Sequence, residues 1–413
     1  MMHVAVISYH SSPLEEPGSG DAGGMTVYVR SLAEALSARG VTTDVFTRAQ
    51  GPGRGPVTVS PGVRVIPIPA GPIEPLPKEQ LQAHIAEFVS GIRAFSLTQR
   101  ISYDLIHSHY WQSGLAGTEL SRAWDVPLVH SHHTLGRVKN RFLAPGDAPE
   151  PVRRLDGEDQ VIAAADVLVA STDDELEHLS CLYGASHDRL KRLHPGVDHS
   201  VFRPMDRAAA RRELGLGDGA ILLFVGRLQR LKGADLALRA LEELAPALDR
   251  EVSLLLVGGA SGPAGGSEVV RLQRLARELG IEDRVSFVGP QPHHLLPIYY
   301  NASDVVTVCS HSESFGLAAL EAHACGIPVV GTPVGGLSHI VRDGRSGYLV
   351  SERDPAVFAG RLKTVLSDPE LHARFSAEAE ETAAGFSWER AASEFIELYE
   401  CLVREGSPEV CTC

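Results

Sequence analysis

The sequence predicts an α/β protein made of two Rossmann-like domains facing each other. Short β-branched apolar runs alternate with longer helical stretches, the rhythm of βαβ units on a parallel sheet. That series stops at a proline-containing stretch near residue 200 and then starts again at comparable length. The 413 residues divide into two or three domains at ~100–200 residues each.

In the first series the candidate strands are His3–Ser8, Thr43–Thr47, Val63–Ile68, Asp104–His107, Pro127–Ser131 and Asp166–Ala170. Helical patterns lie between them near Val27–Ala38, Glu79–Ser96, Gly114–Ala123 and Asp173–Leu182. Pro195 to Pro204 reads as a linker, with prolines and little periodicity. The second series has candidate strands Ile221–Val225, Val252–Val257, Val285–Val288, Asp304–Cys309, Pro328–Gly331 and Tyr348–Val350. Helices fit Ala234–Leu244, Glu268–Leu279, Leu295–Asn301, Gly316–Ala324 and Pro355–Leu366. A final helix over Trp388–Arg404 is apolar at Phe395, Leu398, Tyr399 and Leu402, one face at helical spacing that fits either domain. Gly51–Gly55 is a Gly/Pro turn cluster.

Composition narrows the function. Hydrophobic residues at 44% and charged residues at 22% are ordinary for a folded chain and argue against disorder. Lys+Arg of 38 against Asp+Glu of 52 gives a net charge of −14, which disfavours broad binding to nucleic acid or acidic lipid. Small anionic ligands stay open, since local basic pockets suffice for them. No run reaches the ~18 apolar residues of a membrane span. The first residues read as a strand rather than a signal peptide. Six cysteines without a CxxC pair fit a reduced, cytoplasmic setting. The ending Cys411-Thr-Cys413 reads as a frayed terminus.

Three motifs carry chemistry. Gly18-Ser-Gly-Asp-Ala-Gly23-Gly24-Met25-Thr26 follows the first strand, where glycines let backbone approach a ligand and a helix N-terminus presents N–H groups to an anion. Its spacing is not GxGxxG, so a nicotinamide dinucleotide is disfavoured. Gly226-Arg227 to Lys232-Gly233 follows the first strand of the second series. There two cations five apart can hold a diphosphate from two sides. Glu313-Ser-Phe-Gly316-Leu-Ala-Ala-Leu-Glu321 puts one carboxylate in a loop and a second inside the next helix. Phe315, Gly316 and Leu317 are expected to begin that helix with free amides. Taken alone, these are solvated cations, a capping acid and a helical Glu. Together they form a specific constellation.

These motifs, with Pro195-Gly-Val-Asp198…Phe202-Arg-Pro204 and Gly331-Thr-Pro-Val-Gly-Gly336, resemble the retaining glycosyltransferases of family GT4 over nearly the whole chain. The resemblance implies the GT-B fold, an interdomain cleft and a last helix that crosses back. It divides the chain into an acceptor-binding domain, residues 1–196 with helix 388–404, and a nucleotide-sugar-binding domain, residues 205–387. The N-terminal half is most similar to the mycothiol-pathway branch, which transfers N-acetylglucosamine from UDP-GlcNAc to 1D-myo-inositol 3-phosphate. The shared stretches are Ser12-Pro-Leu…Gly20-Asp-Ala-Gly-Gly-Met25, Leu76-Pro-Lys78-Glu, His107-Ser-His-Tyr110-Trp, His133-Thr134-Leu…Val138-Lys-Asn140, and Arg154 ahead of Glu158.

By that resemblance, Arg227 and Lys232 hold the donor diphosphate, which Gly23 and Gly24 approach. Glu321 binds the ribose, and Glu313 with the amides of Phe315, Gly316 and Leu317 faces the sugar and distal phosphate. Backbone near Gln291 reads the base. His133 sits at the reacting centre, so His133, Arg227, Lys232 and Glu313 are the catalytic set. His10, Thr26, Lys78, Tyr110, Thr134 and Arg154 are the acceptor set. The donor, a nucleotide-diphosphate sugar, is a co-substrate; neither a further cofactor nor a metal is expected, since no DxD motif occurs. Partners are small molecules, not nucleic acid or membrane, and the family expectation is a homodimer.

One departure stands out: that branch reads Gly-Gly-Met-Asn, and here Thr26 replaces the Asn. Threonine has one hydroxyl and no amide, so the anion pocket is better supported than the inositol. Alternatives are another donor such as a GDP-sugar, another acceptor such as ergothioneine glycosylated on sulfur in lincosamide assembly, and a GT-B sugar-nucleotide epimerase. A non-catalytic nucleotide-sugar sensor fits poorly with Glu313, Glu321, Arg227, Lys232 and His133 all in place.

Overall fold

A computed structural model describes residues 2–18, 22–51, 53, 55–260 and 265–405. Ser19, Gly20 and Asp21 of the first glycine loop, Pro52 and Arg54 of the turn cluster, and the Cys411–Cys413 ending lie outside the described residues.

Two sheets form. The first has eight strands: β1 (His3–Ile7), β2 (Thr42–Arg48), β3 (Val57–Ser60), β4 (Val63–Ile68), β5 (Leu105–His109), β6 (Leu128–Ser131), β7 (Val167–Ala170) and β8 (Leu190–Arg192). Their order is β3-β4-β2-β1-β5-β6-β7-β8, parallel throughout except for the antiparallel pair β3–β4. The second has six parallel strands: β9 (Ala220–Val225), β10 (Val252–Val257), β11 (Val285–Gly289), β12 (Val305–Val308), β13 (Val329–Gly331) and β14 (Gly347–Leu349). Their order is β11-β10-β9-β12-β13-β14. Helices cover both faces of each sheet, which is why β9 (AILLFV) and β10 (VSLLLV) are almost wholly apolar.

Strand order reverses at β1 in one sheet and at β9 in the other, and the crevice at such a point is where open α/β sheets bind ligands. The glycine loop leaves β1, the Arg227–Lys232 segment leaves β9, and the Glu313 loop leaves neighbouring β12. All three motifs therefore sit at carboxyl edges.

The last helix, Trp388–Glu405, lies on the first domain. Trp388, Ala391, Ala392, Phe395, Leu398, Tyr399 and Leu402 pack with Val4, Val6, Tyr28 and Leu32. Each fully buried Leu or Phe there contributes about 1.5–3 kcal/mol. The chain thus crosses between domains twice, and the crossings run side by side. Val197 forms a parallel bridge to Ser387, and a Cβ on Gly196 would lie 2.2 Å from the Ser387 carbonyl carbon, so that position requires glycine.

The sequence expectation missed β3, β8 and the helices Gly136–Arg141, Val152–Ala164, Arg207–Leu214, Leu337–Ile340 and Pro369–Ala384. Val152–Ala164 (VRRLDGEDQVIAA) is dense in charge and interrupted by Gly157, so its apolar stripe is weak. Gly157 is there because a Cβ would meet the Trp111 ring at 2.5 Å. The stretch read as one helix over Glu79–Ser96 divides into Lys78–Leu81, a tighter turn at Gln82–His84, and Ile85–Gln99. Among the described residues, no helix is long and apolar enough to cross a membrane.

Candidate active site

A cavity of about 270 Å³ lies between the carboxyl edges of the two sheets. From the second domain it is lined by Arg227, Lys232, Gln291, His293, Glu313, Phe315, Gly316, Leu317 and Glu321, and from the first by Gly23, Gly24, Tyr28, His133 and Thr134. All the donor residues expected from sequence therefore face one space. Of the acceptor set, Thr134 reaches it.

The second-domain wall is built on close backbone contacts. A Cβ on Gly258 would sit 1.9 Å from the Gly226 carbonyl oxygen, and one on Gly233 2.0 Å from the Cys309 oxygen. These approaches press the Arg227–Lys232 segment against the strand ends. Gly335 (φ +51) and Gly336 do the same for the acidic loop, because Cβ atoms there would lie 1.8 Å from the Glu313 oxygen and 2.2 Å from the Phe315 oxygen. Lys232 Nζ donates to Glu313 Oε2 at 2.5 Å, and Ser310 Oγ donates to the same oxygen at 3.1 Å. Cation and carboxylate are thus paired beforehand, which the sequence did not indicate.

The helix after this loop runs Leu317–Ala324 with Gly316 (φ 100) as its cap. It starts one residue after the expected Gly316, and Phe315 belongs to the loop. The amides of Gly316 and Leu317 open on the cavity and find no acceptor among the described residues. Glu321, buried on the second turn, accepts from Tyr300 Oη at 2.8 Å and meets His293 Nε2 at 2.7 Å. Burial works against a charge on His293, yet Glu321 raises its pKa overall. Neither His293 nor Tyr300 was picked from sequence. Their signal was position: Gln291-Pro-His293 follows β11 at the same sheet edge.

The first-domain wall begins with Gly23 and Gly24 at the start of helix Gly24–Ala38. A Cβ on Gly23 would stand 3.1 Å from Arg227 Nε, and one on Gly24 3.5 Å from Leu317 Cδ1. The loop therefore reaches across the cleft. His133 lies two residues past β6, with a left-handed φ of 60° that is uncommon for any residue but glycine. Its Nε2 is 2.9 Å from His109 Nδ1, the Tyr28 ring meets it edge-on at 4.8 Å, and Ser314 of the second domain donates to its carbonyl oxygen. Burial pushes its pKa down to about 3, so the ring is neutral at neutral pH.

The remaining acceptor residues gather beside this cavity. Arg154 donates to Thr134 Oγ1 at 3.0 Å and lies over the Tyr110 ring at 5.1 Å; the Tyr110 and His10 rings are in tilted contact at 4.4 Å. Burial, then the charges of Lys78, Arg227, His133 and Arg154, hold the His10 pKa well below its ordinary value. His10 Nδ1 is buried and has no partner among the described residues.

Two of the expected acceptor residues already have partners within the first domain. Arg154 is not a free cation: it pairs with Glu158 at 2.8 Å and Glu150 at 3.0 Å, and Glu158 also accepts the Gly136 amide and the Tyr183 hydroxyl. Glu150 in turn pairs with Lys139. Thr26 is buried, and its hydroxyl is 2.8 Å from Ser11 Oγ, so it does not line the main cavity.

The family described as Glycosyl transferases group 1 matches residues 206–382, and the Glycosyl transferase 4-like domain matches residues 23–196. The chain is 48% identical to D-inositol 3-phosphate glycosyltransferase of Acidothermus cellulolyticus over 97% of its own length and 91% of that protein's. It is 48% identical to the D-inositol 3-phosphate glycosyltransferase of Corynebacterium jeikeium, covering 98% of each chain. Among solved structures, sucrose-phosphate synthase from Thermosynechococcus elongatus superposes with a TM-score of 0.90 at 34% identity, over 97% of this chain and 99% of that one.

Proposed function

Because this chain belongs to the GT4 glycosyltransferases, we propose that it transfers a sugar with retention from a nucleotide-diphosphate donor, UDP-GlcNAc first, to a small anionic acceptor resembling 1D-myo-inositol 3-phosphate. The observation that carries this reading is the convergence of Arg227, Lys232 and the open amides of Gly316 and Leu317 on one interdomain cavity. The second domain binds the donor and the first binds the acceptor, in the cytoplasm and as a homodimer.

The step is a front-face displacement. The anomeric carbon–oxygen bond to the diphosphate breaks, the acceptor hydroxyl bonds to the same face, and its proton passes to a departing diphosphate oxygen. Negative charge grows on the leaving group, so fixed cations and amides aimed there lower the barrier without reorganising. Glu313 holds Lys232 in place at 2.5 Å. Glu321 takes the ribose hydroxyls, exchanging contacts with His293 and Tyr300. Neutral His133 offers a hydrogen bond to the sugar and adds no charge of its own. His10, Lys78, Tyr110, Thr134 and Arg154 take the acceptor's anion, and the unpartnered His10 Nδ1 supports a polar group beside it.

A second acceptor is favoured by one observation. Ser11 already engages the Thr26 hydroxyl, which leaves that position little to offer an inositol ring. Another anionic acceptor then fits, including a thiol-bearing carboxylate such as ergothioneine. The test is product mass analysis with UDP- and GDP-sugars crossed against inositol 3-phosphate and ergothioneine. A glycosylated acceptor supports transfer. Donor loss equal with and without every acceptor supports the epimerase reading instead.

A further inference from the structure

A column of buried histidines joins His133 to the last helix. His107 and His109 are two apart on β5, so their side chains share one face of the sheet. Their ring centroids lie 4.1 Å apart, with the planes tilted by 41°. His107 Nδ1 lies 2.7 Å from Tyr399 Oη on helix Trp388–Glu405, and its Nε2 lies 2.9 Å from Ser131 Oγ. His109 Nδ1 lies 2.9 Å from His133 Nε2. His109 is therefore gripped on its face by a ring that is itself anchored at both nitrogens.

The two imidazoles are neutral, since burial depresses both pKa values. A neutral imidazole has one donor and one acceptor nitrogen, so the pair shares a single proton. In either direction, Nε2 of His133 is engaged inside the domain, and Nδ1 is the ring nitrogen left for the cavity. The His133 carbonyl oxygen is engaged by Ser314 across the cleft. Turning the ring over would break the bond to His109 and present the wrong nitrogen to the sugar.

We propose that His109 is a positioning residue that locks His133 in one ring orientation and one tautomer, braced through His107 by Tyr399 of the crossing helix. This rests on the transferase reading for its kinetic consequence but not for its structural one. The structural test is nitrogen-15 NMR of histidine-labelled protein, with the His133 signals identified by their loss in His133→Gln. The wild type is expected to show one imidazole nitrogen fully protonated and the other fully bare. His109→Phe, which keeps the ring contact and removes the nitrogen, is expected to average the two. The kinetic test is transfer by the same variants. His109→Phe is expected to lower kcat about 10- to 100-fold with donor KM little changed, His109→Asn to recover most of that loss, and Tyr399→Phe to cost about 2- to 5-fold.

Mixed tautomers at His133 in the wild type would overturn the proposal even if His109→Phe fails to fold. So would a folded His109→Phe with wild-type kcat. Absence of transfer by wild type with every donor would instead sink the functional reading, while the spectrum still decides the role of His109.

Discussion

The two walls of the cleft hold charge in opposite ways. On the second domain, Lys232 and Glu313 form a pair open to the cavity, on loops pinned by glycine contacts to backbone. On the first, Arg154 is 3% exposed and bound to Glu158, which is fully buried, and to Glu150. The open pair can exchange partners with a ligand at little structural cost. The buried one is part of the framework, and taking away one member leaves a charge without compensation. Chemistry and stability should therefore separate on one wall and remain tangled on the other.

Arg154→Ala should show the largest effect, destabilising the fold by about 3–5 kcal/mol because Glu158 keeps its burial and loses its cation. Thermal unfolding measures it, and an unchanged melting temperature would show that Arg154 is not structural. Lys232→Ala should leave the melting temperature near wild type while lowering kcat/KM by about 2–4 kcal/mol of transition-state stabilisation. Equal losses of stability and rate in both variants would erase the contrast between the walls.

Glu175 sharpens the picture within the first domain. It is buried, accepts the Ser171 amide at 2.7 Å, and burial pushes its pKa from an ordinary 4.5 up to about 7. The folded chain thus keeps this proton to higher pH than the unfolded chain does. Its contribution is intact below 4.5 and is lost as pH rises to about 7. Glu175→Gln should match wild type in denaturant midpoint at pH 4 and exceed it at pH 8, by at most about 3 kcal/mol. A gap that shrinks with rising pH would contradict the sign. The smallest effect is expected from Gly24→Ala. Its Cβ would make an ordinary 3.5 Å contact with Leu317, so the free protein keeps its stability while donor affinity, read by calorimetry, falls about tenfold.

The same contrast explains what could be read from sequence. The donor wall comes from contiguous motifs after β9 and β12, each with its glycines in place, and the sheet edges bring them together. The two domains were legible because apolar strands covered on both faces stand out. Helix Val152–Ala164 did not, because its ion pairs break the apolar pattern. The Lys232–Glu313 contact joins residues 81 apart, and the Thr26–Ser11 contact depends on how the first loop folds back. No periodicity encodes such pairings. The site residues were identifiable by type and spacing, but whether each cation or hydroxyl stood open or engaged was decided by packing.

The most direct measurement is a crystal structure of the protein soaked with an intact nucleotide sugar. The diphosphate is expected within hydrogen-bond distance of Arg227, Lys232 and the amides of Gly316 and Leu317, with Glu321 on the ribose. A diphosphate bound away from these groups, or Lys232 still closed on Glu313 with the donor elsewhere, would contradict the assignment.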